Sequence, residues 1–94
     1  MNYQLVIQLS GDDLGALVRL EEAVAERLGD AGDVDGHDIG GGEMNIFVST
    51  DQPRRAFDRI RSTLVGDFAA AYRQVDADSY VVLFPPDRKY FDVS

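Results

Sequence analysis

The densest group of polar side chains lies in a Gly- and Asp-rich stretch near the middle of the chain. Carboxylates and an imidazole are the side chains that bind divalent cations and transfer protons. This group consists of Asp30, Asp33, Asp35, His37, Asp38 and Glu43. Its position between two segments with strand-like patterns makes it the first candidate for a binding site.

Calcium is the first cation to consider, because Asp33-Val34-Asp35-Gly36 matches the middle of an EF-hand loop. With Asp33 and Asp35 at the third and fifth ligand positions, the first falls on Ala31 and the last on Gly42. Glu43 misses the bidentate position by one residue, and the flanking segments are not two helices. We therefore predict no metal site here.

His37 is the single histidine of the chain. If Val34 to Ile39 forms a strand, alternation places Asp35, His37 and Ile39 on one face and Gly36 and Asp38 on the other. An imidazole with one or two carboxylates provides few ligands for a metal. The simpler interpretation is that His37 hydrogen-bonds a neighbouring carboxylate and orders the hairpin.

The triple glycine Gly40-Gly41-Gly42 precedes a predicted strand, and no lysine follows it, which argues against a phosphate-binding loop. Glycines suit the tip of a β-hairpin, where positive φ angles are needed. Because a glycine backbone also lets a partner approach closely, we predict that Gly36 to Asn45 is the recognition surface. The candidate binding residues are Asp35, His37, Asp38, Gly41, Glu43 and Asn45. No serine or threonine has a base at a recognisable spacing, so no catalytic residue is assigned.

Two further features concern the predicted helices. Glu21 lies close in angle to the apolar side of the first helix, so we expect it to pair with Arg59 or Arg61 of the second. Four of the nine basic residues, all arginines, lie in the second helix at positions 54, 55, 59 and 61. They spread over more than a third of its circumference, which is typical of a solvated face.

The chain is strongly acidic, with 17 acidic and nine basic residues and a formal charge of −8. Nucleic acids and anionic membranes are bound by cationic side chains, so we expect neither as a partner. The absence of cysteine excludes disulfides, zinc–thiolate sites and iron–sulfur clusters, and no cofactor is predicted. A small cysteine-free domain without a visible signal peptide or membrane span is expected in the cytoplasm.

The elements that must position these residues follow from periodicity. Tyr3 to Leu9 alternates as a strand, and apolar residues at helical spacing predict a helix from about Asp13 to Leu28, closed by Gly29. Glu43 to Thr50 is a strand with Met44, Ile46 and Val48 on one face. Thr50-Asp51-Gln52-Pro53 begins a second helix, which has the apolar stripe Ala56, Phe57, Ile60 and Leu64 and ends at Gly66.

The last third of the chain is less regular. Phe68 to Val75 is ambiguous, because Ala69-Ala70-Ala71 favours helix and Tyr72 and Val75 favour strand. Tyr80 to Phe84 is a continuous apolar run and the clearest buried strand, and Pro85-Pro86 ends it. The tail from Asp87 to Ser94 carries Tyr90, Phe91 and Val93, so we expect it to dock on the body.

The order β-α-β-β-α-β, with one extra strand allowed before the last, predicts a single α+β domain over residues 1–94. It matches a ferredoxin-like sandwich, in which an antiparallel sheet carries both helices on one face. Met44, Ile46 and Val48 should then point toward the helices.

The segment Gly36-His37-Asp38-Ile39-Gly40-Gly41-Gly42-Glu43-Met44-Asn45-Ile46-Phe47, followed by Thr50-Asp51-Gln52-Pro53, resembles a stretch in small bacterial proteins that have no assigned activity. Ala71-Tyr72-Arg73 and Val82-Leu83-Phe84-Pro85-Pro86 are similar to the C-terminal part of those proteins. The resemblance covers most of the chain. It implies a stand-alone bacterial protein with a plait-like fold, and it provides no catalytic residues.

Two hypotheses about function follow. In the first, the protein is a non-enzymatic interaction module that binds a partner or a second copy through its helix-free sheet face, made apolar by Val6, Phe47 and either Val81 and Leu83 or their neighbours. Its acidity would suit a basic partner, as in an immunity protein or an inhibitor. In the second, the chain binds a small molecule or metal, or is a small enzyme, through Asp35, His37, Asp38, Glu43 and Asn45.

Overall fold

A computed structural model describes residues 2–64 and 66–84 of the 94-residue chain. The strands are β1 (Tyr3–Ser10), β2 (Asp33–Gly40), β3 (Glu43–Thr50), β4 (Phe68–Gln74) and β5 (Val81–Phe84), and the helices are α1 (Leu14–Leu28) and α2 (Pro53–Ile60). Short 3-10 turns follow the helices at Gly29–Ala31 and Arg61–Thr63. The predicted docking of the tail concerns residues outside the described ones.

The five strands form one antiparallel sheet in the order β2-β3-β1-β4-β5. Strands β1 to β4 with the two helices are compatible with the predicted ferredoxin-like sandwich, and the extra strand is β5, at the outside of β4. The order along the chain is the predicted one, with a strand at Phe68–Gln74 before the last strand, and it is β4 that completes the plait.

One face of the sheet packs against both helices. The register pairs Leu5 with Val48 and Ile7 with Ile46, and all four side chains are buried. They belong to the same core cluster as helix residues such as Leu17. The remaining helix members of this cluster are Val24, Leu28, Ala56, Phe57 and Ile60. The predicted orientation of Met44, Ile46 and Val48 toward the helices is confirmed.

Helix α1 begins and ends as its sequence predicts. The Asp13 carboxylate accepts a hydrogen bond from the Ala16 N–H at 3.1 Å, which satisfies a donor that the first turn leaves free. Gly29 closes the helix with φ of 53°, a conformation that other residues rarely adopt. Leu14 is one of the apolar residues at helical spacing that predict this helix, but it is 51% exposed at the helix start.

Helix α2 has Pro53 as its first residue and is preceded by a buried threonine. The Thr50 hydroxyl donates to the Ala31 carbonyl at 2.6 Å and accepts from the Gln52 N–H at 2.9 Å. The predicted stripe of Ala56, Phe57, Ile60 and Leu64 is buried throughout. The α-helical part ends at Ile60, earlier than the predicted end at Gly66, because the chain tightens into a 3-10 turn.

The last two strands resolve one ambiguity and correct one prediction. Phe68 to Gln74 is a strand, and its three central alanines lie next to β1, fully or almost fully buried. The prediction that Tyr80 to Phe84 is the clearest buried strand is wrong. Only Val81–Phe84 of this segment forms a strand, which lies at one of the two edges of the described sheet, and Val81 is 45% exposed. No helix among the described residues has the length and apolar character to span a membrane.

Candidate functional site

The hairpin of β2 and β3 carries the predicted site. Its two-residue loop is Gly41-Gly42, with φ of 61° and 79°, which is the left-handed conformation that such a tight hairpin turn requires. The Gly11 N–H donates to the Gly42 carbonyl at 2.8 Å and holds the tip against the end of β1. The predicted role of the glycines as a hairpin tip is confirmed.

A β-bulge in β2 alters the predicted alternation of side chains. Val34 pairs with Val48 and Gly36 pairs with Phe47, so Asp35 is the extra residue. This extra residue interrupts the regular alternation that was expected to place Asp35 and His37 on the same face. His37 pairs with Ile46, whose side chain is buried under the helices.

The remaining predicted residues lie on the helix-free face. Asp38 pairs with Asn45, and Glu43 pairs with both Gly40 and Ser10. The fold therefore brings Asp38 and Asn45 together and places His37 on the opposite face. In residues 2–64 and 66–84, no group of three or more histidine, aspartate or glutamate side chains is arranged to hold a metal ion.

His37 contacts a carboxylate that the sequence did not place beside it. Its Nδ1 lies 3.0 Å from Oε2 of Glu21, and the two side chains are 33% and 20% exposed. The prediction that Glu21 pairs with Arg59 or Arg61 is wrong, because Glu21 faces β2 and not α2. The interpretation that His37 bonds a carboxylate is confirmed, and the bond joins the hairpin to α1.

The two arginines expected beside Glu21 have other partners. Arg59 donates to the Leu28 carbonyl at 3.2 Å and pairs with Asp30 at 3.4 Å, so it closes the end of α1. Arg61 lies over the rings of Phe57 and Phe84, with its guanidinium carbon 5.2 and 5.7 Å from their centroids. Both arginines therefore support packing around α2, and neither reaches the hairpin site.

A groove of about 340 Å³ runs between α1 and β2 beside this contact. Its lining combines three carboxylates with a small apolar floor: Glu21, Glu22, Asp35, Ala25, Val34 and Gly36. Carboxylates above an apolar floor suit a lysine or arginine side chain, whose aliphatic stem lies on apolar surface while its cationic end is paired.

The negative charge of the protein is concentrated around this groove. Residues 12–43 contain ten of the 17 acidic residues and two of the nine basic ones, so the whole formal charge of −8 lies in this segment. Three of these carboxylates are exposed on α1 or at residue 35 of β2, and with Glu21 they form what we term the acidic side: Glu21, Glu22, Glu26 and Asp35. The field of the molecule is thus strongly one-sided.

The helix-free face carries apolar residues as predicted, but several of them are already buried. Val6, Ala69 and Ala71 are buried already, and Phe47 is half-buried. Val82 pairs with Ala71 and joins this face, whereas Val81 pairs with Tyr72. Among the described residues, the large apolar side chains that are most exposed are Leu14, Val18, Val75 and Val81.

A second concave site, which the sequence did not reveal, lies where α2 begins. This cavity of about 390 Å³ is formed by three segments that are distant in sequence: Tyr3, residues 51–55 and Tyr72. The Tyr3 and Tyr72 rings meet edge to face at 5.7 Å, and the Arg54 guanidinium carbon lies 5.6 Å from the centroid of Tyr72. The adjacent arginines 54 and 55 were the available signal, but only the β1–β4 register brings the tyrosines to them.

The acidic side and the cavity at α2 are two places in the described structure where charged side chains line a concave surface. Comparison with family models, with curated proteins and with solved structures gave no significant match.

Proposed function

We propose that the protein is a non-enzymatic interaction module whose acidic side binds a basic protein. The observation that supports this most strongly is the location of the entire formal charge in residues 12–43. Because α1 packs beside β2, carboxylates from two elements converge on one surface. An immunity protein or an inhibitor of a basic protein needs a surface of this kind.

Charge placed in this way favours association in two respects. A one-sided negative field attracts a positively charged partner and orients it before contact. The groove between α1 and β2 then provides a place in which one lysine or arginine of the partner is held by Glu21, Glu22 or Asp35. We place the partner here rather than on the helix-free face, where Val6 and Ala71 are already buried.

The test begins by capturing partners from a lysate of the source organism with the immobilised chain. The captured protein is then titrated calorimetrically against the wild-type chain and two neutralised variants. The first variant carries Glu22→Gln, Glu26→Gln and Asp35→Asn on the acidic side. The matched control carries Asp58→Asn, Asp67→Asn and Asp76→Asn, which remove three exposed charges outside residues 12–43.

We expect a basic partner whose affinity falls with added salt. Each interfacial charge contributes about 1 kcal/mol or more, so the first variant should bind at least about 100-fold more weakly. The control should bind within about threefold of wild type. Equal losses in both variants, or affinity that does not respond to salt, would show that the acidic side is not the binding surface.

A further inference from the structure

We propose that the cavity at the start of α2 binds a small anion that carries a planar ring. This ligand differs from the basic partner of the acidic side, and the two sites do not share a residue. The cavity volume of about 390 Å³ lies at the lower end of the range for small-molecule sites.

The apolar wall of the cavity is aromatic. Tyr3 and Tyr72 are both half-buried, and their rings are held at an interplanar angle of 77° by strands β1 and β4. Pro53 also lines the cavity, is buried and adds apolar surface. A planar ring fits between such surfaces because aromatic groups pack edge to face or with offset stacking.

In this proposal, Arg54 binds the anionic group of the ligand. Its guanidinium is held over the Tyr72 ring, and among the described residues it has no carboxylate within ion-pair distance. Arg55, its neighbour in the cavity, pairs with Asp30 at 3.5 Å. Because no carboxylate of the described residues pairs with Arg54, its N–H edge can form two parallel hydrogen bonds to a carboxylate or phosphate.

The charged residues around the cavity are compatible with a bound anion. Asp51 also lines the cavity, and its Oδ1 accepts the Asn2 N–H at 3.0 Å. Residues 44–84 contain five acidic and five basic residues, so the cavity lies outside the segment that carries the net charge. Local charge therefore does not oppose an anion here as it does on the acidic side.

The test uses three probes that separate the ring from the charge: phenyl phosphate, inorganic phosphate and phenol. Each is titrated into the ¹⁵N-labelled chain while backbone amide shifts are followed. We expect phenyl phosphate to saturate with an affinity of about 1 mM or better and to move the amides of residues 51–55. Phosphate and phenol should each bind at least about tenfold more weakly, since each provides half of the contacts.

Two variants, each of which replaces one arginine with glutamine, test whether Arg54 binds the anionic group. Arg54→Gln should weaken phenyl phosphate by about tenfold, because it removes a charge-assisted pair of hydrogen bonds. Arg61→Gln removes the same charge from the 3-10 turn after α2, outside the cavity, and should change the affinity less than about twofold. Absence of saturation at 20-fold the expected constant, equal effects of the two variants, or phosphate binding as well as phenyl phosphate would each overturn the proposal. Asp35→Asn on the acidic side should leave this titration unchanged, so this test is independent of the proposed function.

Discussion

Replacing Thr50 with valine should destabilise the protein far more than its single lost hydroxyl suggests. Thr50 is fully buried, and its hydroxyl joins two backbone groups from different elements, the Ala31 carbonyl and the Gln52 N–H. Valine has the same shape but cannot form either bond. The variant therefore leaves a carbonyl without its partner inside the protein and removes the hydroxyl acceptor just before α2.

The two losses can be estimated separately. An unsatisfied buried backbone group costs about 1–3 kcal/mol, and loss of the hydrogen bond to the Gln52 N–H costs about 1 kcal/mol. We therefore expect a fall of about 2–4 kcal/mol in the free energy of unfolding, a large part of the ~5–15 kcal/mol typical of a native domain. Urea denaturation followed by circular dichroism measures it, with an unchanged m-value as the sign that the folded state is intact.

Two controls make the result interpretable. Thr50→Ser keeps both hydrogen bonds and loses one buried methyl, so it should cost about 1 kcal/mol. Thr63→Val removes a hydroxyl that donates to the Ile60 carbonyl at 2.6 Å in a half-buried turn, where water can replace it, and should cost less than about 1 kcal/mol. If Thr50→Val loses no more stability than Thr50→Ser, the hydroxyl does not join the two segments as described.

Two further predictions use matched pairs of variants and the same denaturation assay. Gly32→Ala should cost about 1–3 kcal/mol because its Cβ would lie 2.8 Å from the Ser49 carbonyl oxygen, whereas Gly40→Ala, with no atom within 4 Å of its Cβ, should stay within about 0.5 kcal/mol of wild type. Equal stabilities for these two variants would contradict the close approach at Gly32. His37→Ala should cost about 1 kcal/mol by leaving Glu21 without its partner, and Asp38→Ala, on the opposite face, should cost less than half as much. A larger loss for Asp38→Ala would contradict the assignment of the two faces.

The sequence correctly predicted the features that depend on a single helix or strand. Asp13 and Gly29 bound α1 because each satisfies a helix end through its own side chain or backbone conformation. Met44 and Ile46 face the core because alternation admits one apolar face. The ambiguity at Phe68 to Val75 had a clear cause, since a run of three alanines is compatible with a helix and with a crowded central strand.

The errors arise where the outcome depends on two elements. An apolar run such as Val81 to Phe84 does not reveal whether a strand lies at the centre or at the outside of a sheet. Glu21 pairs with His37 because α1 lies over β2, and this relation follows from the path of the whole chain. The cavity at Arg54 is even harder to predict from the sequence, because it exists only once β1, β4 and α2 are assembled.

The bulge in β2 has a consequence for self-association. An outer strand of eight residues exposes unpaired backbone groups, and such edges are the usual starting points for intermolecular sheets. Here the extra residue Asp35 interrupts regular spacing, and Asp33 and Asp38 place exposed charges on both sides of it. A second chain that paired with this edge would lose regular backbone hydrogen bonding at the bulge and would bury carboxylates. The strand that carries the candidate binding residues is thereby protected against aggregation.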